Sequence, residues 1–398
     1  MNEGIRPRVS IGLVVFFLMM VSMLFVAPPI QETWGMWGLA LTELMLLAWA
    51  VIPALILKWD FREVFRMRIP AWRQVFGTLV LWVGGFVAVM AVNIIITYFF
   101  PKGMHDVSTD LLDFFNKVPF PVRLFILAAM PAICEEALHR GFIQYTFRNT
   151  SKWTTIISMS LIFGLFHLDP YRFLGTAILG AVLTYIMVET RNILLPMLFH
   201  FVNNVLGALS TLATTPSVEV MEIPLASVGM YLLMVAAVPF LFIGGSRLLL
   251  SKEERITRPI SKSTWKIAIV MVVVLALSGI AVFGVGAMEL LEDYMAEPIF
   301  ENSFSQDVNK DTPDHLLGFT VEEARAYQYD LSIIGTGDVI TQVAVISCIS
   351  SEEVYSGTGG EMTGQGSFDL AAGDYMVIIS FFTESEEYLP VSVEFILK

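Results

Sequence analysis

The sequence predicts an α-helical polytopic membrane protein with a C-terminal all-β domain, and three observations support this fold class. Hydrophobic residues make up 56% of the 398 residues, charged residues only 15%, and the mean hydropathy is +0.69, which is far more apolar than a soluble domain. Long apolar runs recur between residues 11 and 290. The chain after residue 290 is instead acidic, and its short apolar runs partly alternate with polar residues, as in half-buried strands.

The apolar runs predict about eight to nine transmembrane helices. Most approach the roughly 20 residues that cross a bilayer, and we interpret the first run as an uncleaved span because no cleavage site follows it. The fifth run is short, so a re-entrant or buried helix there is the alternative to a crossing. The nine runs occupy residues 11–28, 37–57, 76–100, 122–147, 154–167, 173–189, 193–213, 225–244 and 265–290.

Basic residues predict the orientation of these helices. Lys and Arg concentrate in alternate loops, which the positive-inside rule assigns to the cytoplasm. The N-terminus is then cytoplasmic and, with nine spans, the C-terminal domain is extracytoplasmic. We therefore expect an integral protein of a prokaryotic cell membrane that contacts membrane lipid. The basic loops lie before residue 9 and near residues 58–73, 148–152, 191 and 247–266, against only Lys102, Lys117, Arg123 and Arg172 on the other side.

The acidic charge belongs to the C-terminal region. Residues 291–398 carry 20 acidic and three basic residues, a net charge of −17 against −13 for the whole chain. Alternating runs separated by Gly-rich turns predict a small antiparallel sandwich of roughly six strands, preceded by a polar linker at residues 296–318. The predicted strands lie near residues 327–334, 339–349, 375–382 and 391–397.

Four regions follow from these patterns. Residues 1–121 hold the N-terminal transmembrane helices, and residues 214–290 hold the C-terminal ones. Residues 122–213 form a membrane core between them, and residues 291–398 form the acidic β domain. We expect the chemistry in residues 122–213, because intramembrane charged residues are expensive to bury and usually functional.

The first polar cluster of this core lies inside the fourth apolar run. Glu136 and Arg140 are four residues apart on one helical face, and Glu135 and His139 make the same step on the adjacent face. A charged residue near the bilayer centre costs roughly 2.5 to 3.5 kcal/mol, so the cluster must be paired. We expect a Glu136–Arg140 ion pair that leaves Glu135 available for chemistry.

Two further histidines lie in later apolar runs. His167 ends the fifth run, and His200 lies in the seventh with Asn204 on the same helical face. A lone histidine on an apolar face is usually a satisfied core residue, but several near two intramembrane glutamates favour a shared site. We expect the three helices to bring these side chains to one buried polar pocket.

These motifs resemble a known family. Glu135-Glu136-x-x-x-Arg140, Phe163-x-x-x-His167 and His200-x-x-x-Asn204, in this order on successive helices, are similar to the motifs of the CAAX-protease and bacteriocin-processing (CPBP) family of intramembrane endopeptidases. The resemblance covers residues 122–213. It implies hydrolysis of a peptide bond in a membrane-associated protein or peptide, which in part of the family is prenylated.

Amide hydrolysis assigns a role to each candidate residue. Glu135 is the base that activates water, and His167 shares that water. His200 and Asn204 donate to the oxyanion, while Glu136 with Arg140 forms a supporting ion pair. No cofactor is favoured, because the His-Glu-x-x-His zinc motif is absent. A zinc-dependent version with Glu135, His167 and His200 as ligands is the mechanistic alternative.

Other function classes remain as alternatives. A catalytically inactive scaffold that binds a peptide would carry the same motifs. A transporter would also place charges at mid-membrane, but we find no internal repeat. No nucleic-acid motif occurs, so no nucleic-acid partner is expected. Glu43, in the second apolar run, is interpreted as a polar contact between helices.

Overall fold

A computed structural model describes residues 5–104, 118–213, 223–295, 298–335 and 338–398. It separates a helical unit, Met1–Met288, from a β unit, Glu289–Lys398. The divisions predicted within the helical region, before residues 122 and 214, stay predictions.

Thirteen helices account for most of the described helical region. One of them, α6, covers residues 120–146 and joins α-helical segments with two π-helical ones, Phe125–Ala129 and Ala137–Ile143. The others are α1 (Val9–Phe25), α2 (Ala27–Trp34), α3 (Met36–Ile56), α4 (Phe61–Val64), α5 (Trp72–Phe99), α7 (Lys152–Phe166), α8 (Pro170–Thr190), α9 (Leu194–Ala213), α10 (Leu225–Val235), α11 (Val238–Leu249), α12 (Lys252–Thr257) and α13 (Lys262–Met295).

Six of the described helices or joined helix pairs are long and apolar enough to cross a membrane, so the predicted count of eight to nine is not confirmed. The predicted spans that are missing from these six surround the polar core. Helix α7 and the apolar part of α9, Leu194–Ser210, are apolar but shorter. Helix α6 is interrupted by charged residues and π turns. The six are Val9–Trp34, Met36–Ile56, Trp72–Phe99, Pro170–Thr190, Leu225–Leu249 and Lys262–Leu291.

Helix α6 lies against α3 on one side and α9 on the other. Helix α5 packs on α8 and α11, and small residues permit the α5–α11 approach. A Cβ on Gly77 would lie 2.9 Å from the carbonyl oxygen of Gly245, and a Cβ on Gly245 would lie 3.0 Å from that of Gly77. Such glycine contacts are typical of membrane helices, which associate by close packing rather than by the hydrophobic effect.

The β unit contains two antiparallel four-stranded sheets, as expected for a sandwich. One sheet has the order β1-β8-β3-β6 and the other β2-β7-β4-β5. Residues from both sheets, among them Leu331 and Val377, form one buried apolar core. The strands are β1 (Phe300–Val308), β2 (His315–Val321), β3 (Arg325–Gly335), β4 (Ile340–Ser347), β5 (Glu353–Gly359), β6 (Glu361–Leu370), β7 (Gly373–Phe382) and β8 (Leu389–Leu397).

Two sequence predictions for this unit are wrong. The described residues of this unit form eight strands rather than about six, and the predicted polar linker at residues 296–318 contains β1 and part of β2. Strand β1 was hidden because its half-buried positions include polar residues such as Asn302 and Gln306. Pairing with β8, in the register Phe304 to Val393, makes it a strand despite its polar composition.

Candidate active site

Helix α6 presents the first polar cluster from an irregular backbone. Pro131, near the start of the segment Met130–Glu136, has no N–H to donate to the carbonyl of Leu127 four residues earlier. The wider π turn Ala137–Ile143 follows, and every residue of it is buried. π turns within α-helices often mark functional sites, because they redirect side chains relative to a regular helix.

Two ionisable side chains, one from α6 and one from α9, bind the Glu136 carboxylate. Arg140 Nη1 donates to Glu136 Oε1 over 2.9 Å, which is the predicted ion pair. His200 Nδ1 from α9 lies 2.9 Å from the same oxygen. The side chains of Glu136 and Arg140 are fully buried, and His200 is nearly so. Glu136 therefore links α6 to α9, a contact beyond the supporting role predicted for it.

Phe163 on α7 lies at the centre of this cluster. The Arg140 guanidinium carbon is 4.2 Å from the centre of the Phe163 ring, a cation–π geometry. The rings of His139, His167 and His200 pack edge-on against Phe163, with centroids 5.1, 5.1 and 6.0 Å away. One aromatic side chain therefore contacts all three intramembrane histidines.

Helix α8 approaches this cluster through Gly180. Arg140 Nη2 donates to the Gly180 carbonyl over 3.2 Å. A Cβ on Gly180 would lie 2.8 Å from the Phe163 Cβ, so a larger residue would push α8 away from α7. The glycine thus permits the close approach that lets a backbone carbonyl on α8 bind the buried guanidinium.

His167 owes its position to the way α7 ends. Leu168 adopts a left-handed conformation with φ of 54°, and the Asp169 side chain caps α8 by accepting from Tyr171 N and Arg172 N. His167 is thereby the last residue of the turn, and its Nδ1 lies 3.0 Å from the Phe163 carbonyl oxygen.

The Glu135 carboxylate, unlike that of Glu136, lies in the site without a hydrogen bond to another described residue. It is 8% exposed, and its Oε2 atom makes no hydrogen bond within the described residues. It interacts electrostatically with His200, Glu136 and Arg140. His139, on the same helical face, reaches the Glu135 backbone rather than its carboxylate: His139 Nδ1 lies 2.9 Å from the Glu135 carbonyl oxygen.

Asn204 ties α9 to α6. Its Nδ2 donates to the Leu127 carbonyl over 3.1 Å, the same carbonyl that Pro131 leaves without its usual helical donor. A neighbouring helix commonly satisfies such a carbonyl in membrane proteins. An amide NH₂ carries two hydrogens, so this bond occupies only one of the donors of Asn204.

The structure thus joins some of the predicted site residues by direct side-chain bonds and others only through the backbone. Glu136, Arg140 and His200 are directly bonded, whereas His167 and Asn204 each bond to a backbone carbonyl. In the part of the chain that the structure describes, no hydrogen bond joins Glu135 to His167. Electrostatic interaction of His200 with both Glu135 and His167 nonetheless places them in one polar neighbourhood.

Sequence reasoning missed two contributors to this neighbourhood. Phe163 was named only as the start of a motif, and apolar composition gave no indication of its central position. Glu43 on α3 was interpreted as a helix contact, yet it is buried, its Oε2 has no hydrogen-bond partner, and it interacts electrostatically with Glu135. The sequence feature that could have identified Glu43 as part of the site was its position inside an apolar span.

The alternative zinc site can be tested against this geometry. Within the described ranges, no group of three or more His, Cys, Asp or Glu side chains converges in a way that could hold a metal ion. His200 Nδ1 is already engaged by Glu136, and His167 Nδ1 by a backbone carbonyl. A histidine that binds a metal through Nε2 commonly bonds through Nδ1 to a carboxylate or a backbone carbonyl, so these contacts do not decide the question and zinc dependence stays the alternative.

Comparison with protein families gives one match. Residues 117–206 match the family described as Rce1-like, type II CAAX prenyl endopeptidase Rce1-like. The matched segment contains all six candidate residues, from Glu135 to Asn204, and confirms the resemblance to the CPBP family predicted from the sequence. No curated protein and no solved structure matches the chain.

Proposed function

We propose, from the Rce1-like CAAX endopeptidase segment at residues 117–206, that the chain is an intramembrane endopeptidase that hydrolyses a peptide bond of a membrane-associated protein or peptide. The observation that carries this proposal is the buried cluster of Glu135, Glu136, Arg140 and His200. A bundle of apolar helices can fold without four charged or ionisable side chains in one buried site. Burial of this kind persists where the groups balance one another and serve a reaction.

Glu135 is proposed as the base. It differs from Glu136 in its hydrogen bonds: Glu136 Oε1 binds Arg140 and His200, whereas no hydrogen bond to the Glu135 carboxylate occurs within the described residues, so the attacking water can bind there. Positioned general bases contribute roughly 10²- to 10⁴-fold to the rate. His167, at the end of α7, is proposed to share this water.

His200 is proposed as an oxyanion donor that Glu136 orients. A carboxylate that accepts from one ring nitrogen fixes the ring and stabilises its protonated form, which then donates through Nε2. With His200 protonated, the two cations Arg140 and His200 balance the two carboxylates of Glu135 and Glu136. The second hydrogen of the Asn204 amide is the other proposed donor.

The roles of the three α7 and α9 residues are tested by substitution. We expect His167→Ala and His200→Ala each to abolish most peptidase activity, and Asn204→Ala to reduce it about 10²- to 10³-fold, the usual effect of losing one oxyanion donor. The measurement is cleavage of a quenched membrane peptide by the purified protein.

His139→Gln is the matched control for these substitutions. Its ring packs between Phe163 and Phe166 and bonds to the backbone of its own helix, so we expect a smaller loss of activity. If His139→Gln were as damaging as His167→Ala, the assigned roles would be wrong.

No cofactor is favoured, and zinc dependence is kept as the alternative. Metal analysis of the purified protein decides between them, together with cleavage measured after chelation and after zinc is restored. Stoichiometric zinc with chelator-sensitive cleavage would replace glutamate-activated water as the mechanism.

The substrate is proposed to be a protein or peptide held at the membrane. The description of the matched family names a prenyl endopeptidase, so a lipidated substrate is the first to test. Paired peptides with and without a prenyl group distinguish a requirement for the lipid from a requirement for the peptide alone.

The orientation is also a proposal, resting on the distribution of basic residues and on the nine spans predicted from the sequence, an odd number that puts the two termini on opposite sides. The N-terminus is cytoplasmic and residues 291–398 are extracytoplasmic. We expect protease added to intact cells to remove these residues, and a chain truncated after Glu292 to keep peptidase activity. Protection of the β domain until the cells are lysed would contradict this orientation.

A further inference from the structure

A cavity of about 380 Å³ opens among the helix ends next to Arg140. It lies between α4, the end of α6, the start of α7 and the end of α8. Its lining contains five basic side chains and one acidic side chain, Glu63. The basic residues are Arg66, Arg140, Arg148, Lys152 and Arg191.

Part of this positive charge has no acidic partner. Arg66 is paired with Glu63, and Lys152 with Glu189. Arg148 instead donates to the hydroxyl of Tyr145 over 2.8 Å. Neither Arg148 nor Arg191 forms an ion pair within the described residues, and both side chains are exposed. Both guanidinium groups are therefore available to an anion.

Two buried polar atoms on the lining also lack partners. Arg140 is 1% exposed and Gln144 is 8% exposed, and both line the cavity. Arg140 Nε and Gln144 Oε1 make no hydrogen bond within the described residues. Buried polar groups in proteins are almost always satisfied; Arg140 Nε is a donor suited to a ligand oxygen, whereas Gln144 Oε1 is an acceptor suited to a ligand hydroxyl. Unlike the exposed arginines, these two atoms belong to a built interior site.

The cavity lies where helices end rather than in an apolar span. Helix α7 begins at Lys152, and α8 ends at Thr190. Trp153, beside the cavity residue Lys152, is 64% exposed, and tryptophan is enriched at the interface between membrane and water. Helix ends with an exposed tryptophan are typical of the level of lipid headgroups.

We propose that this cavity binds a phosphate group, supplied either by an anionic phospholipid headgroup or by free phosphate. Arginine guanidinium groups bind phosphate oxygens through paired, charge-assisted hydrogen bonds. The amide NH₂ of Gln144 adds a neutral donor on the lining. The volume lies within the range of small-molecule sites. This binding is independent of peptidase activity, although Arg140 is shared with the catalytic cluster.

Binding is measured on the purified full-length chain in neutral detergent by native mass spectrometry. Short-chain phosphatidylglycerol is titrated against phosphatidylcholine of the same chain length, and inorganic phosphate is added as a competitor. The test variant is Arg148→Gln with Arg191→Gln. Arg62→Gln, which removes an exposed charge from α4 outside the cavity lining, is the matched control.

We expect phosphatidylglycerol to bind at least about tenfold more tightly than phosphatidylcholine, and the double variant to lose about tenfold in affinity. Arg62→Gln is expected to change affinity less than about twofold, since it retains the cavity. Phosphate should compete with the lipid. Binding of phosphate but not of lipid, lost in the double variant, supports the same site with a soluble ligand.

Three results would overturn the proposal. One is an equal loss of affinity in Arg62→Gln, which indicates general surface attraction. Another is unchanged affinity in the double variant. The third is competition by acetate as strong as that by phosphate, which indicates a carboxylate site. If the double variant fails to fold, the single variants Arg148→Gln and Arg191→Gln carry the same test.

Discussion

Glu135→Gln is expected to abolish peptide cleavage while the protein still folds. The amide is nearly the same size as the carboxylate but cannot accept a proton from water, so only the base is removed. The expected loss is at least about 10²- to 10⁴-fold in kcat, the contribution of a positioned general base. Cleavage of a membrane peptide by the purified variant measures it, with thermal unfolding as the check on the fold.

Glu43→Gln is the matched control for this prediction. Glu43 is also a buried carboxylate whose Oε2 has no hydrogen-bond partner, but it lies on α3 and has no role in the proposed reaction. We expect it to reduce cleavage less than about tenfold. Wild-type turnover by Glu135→Gln, or equal losses in both variants, would refute the assignment of the base.

The same variant also separates the enzyme from a scaffold. An endopeptidase with Glu135→Gln loses turnover but still binds its peptide, because the carboxylate acts on water rather than on the substrate chain. A non-catalytic scaffold would show no turnover in either protein and equal peptide binding in both. Wild-type cleavage is therefore the first measurement.

Arg140→Met is expected to have the largest effect on stability. The guanidinium is fully buried, balances Glu136 and donates to the Gly180 carbonyl. Its removal leaves Glu136 as a buried carboxylate whose remaining hydrogen-bond partner among the described residues is His200, and breaking a buried pair in this way costs roughly 3 to 5 kcal/mol. Unfolding of the purified protein in mixed detergent measures the loss.

The double variant Glu136→Gln with Arg140→Met provides the control. When both charges are removed, no charge is left uncompensated, and we expect most of the lost stability to return. Peptidase activity should stay low, because His200 loses the carboxylate that orients it. Stability equal to that of Arg140→Met alone would show that the pair does not act through charge balance.

The membrane environment, the core segment and the ion pair were accessible from sequence. Long apolar runs determine that most of the helices lie in lipid, because their composition has no favourable alternative in water. The four-residue spacing of Glu136 and Arg140 determines their contact, because it acts within one helix. The motif order also identified the segment that matches the endopeptidase family.

Short helices and polar strands were harder to predict. Helix α7, with 15 residues, is apolar but below the usual spanning length, so composition alone does not decide its placement. Strand β6 contains two glycines and several polar residues, and it forms because ten residues of β3 pair with it. Strand identity in such cases depends on a partner that is distant in sequence.

Only the tertiary structure decided how the catalytic candidates are shared among helices. His139 Nδ1, within the π turn that follows Glu136, bonds to the Glu135 backbone rather than to the Glu135 carboxylate. The contact of Glu136 with His200, and that of Asn204 with Leu127, join residues more than sixty positions apart. Periodicity specifies which face of a helix a residue occupies, but the partner on that face depends on how helices pack. The sequence by itself therefore determined which residues are polar in the membrane, and packing determined which of them bind one another.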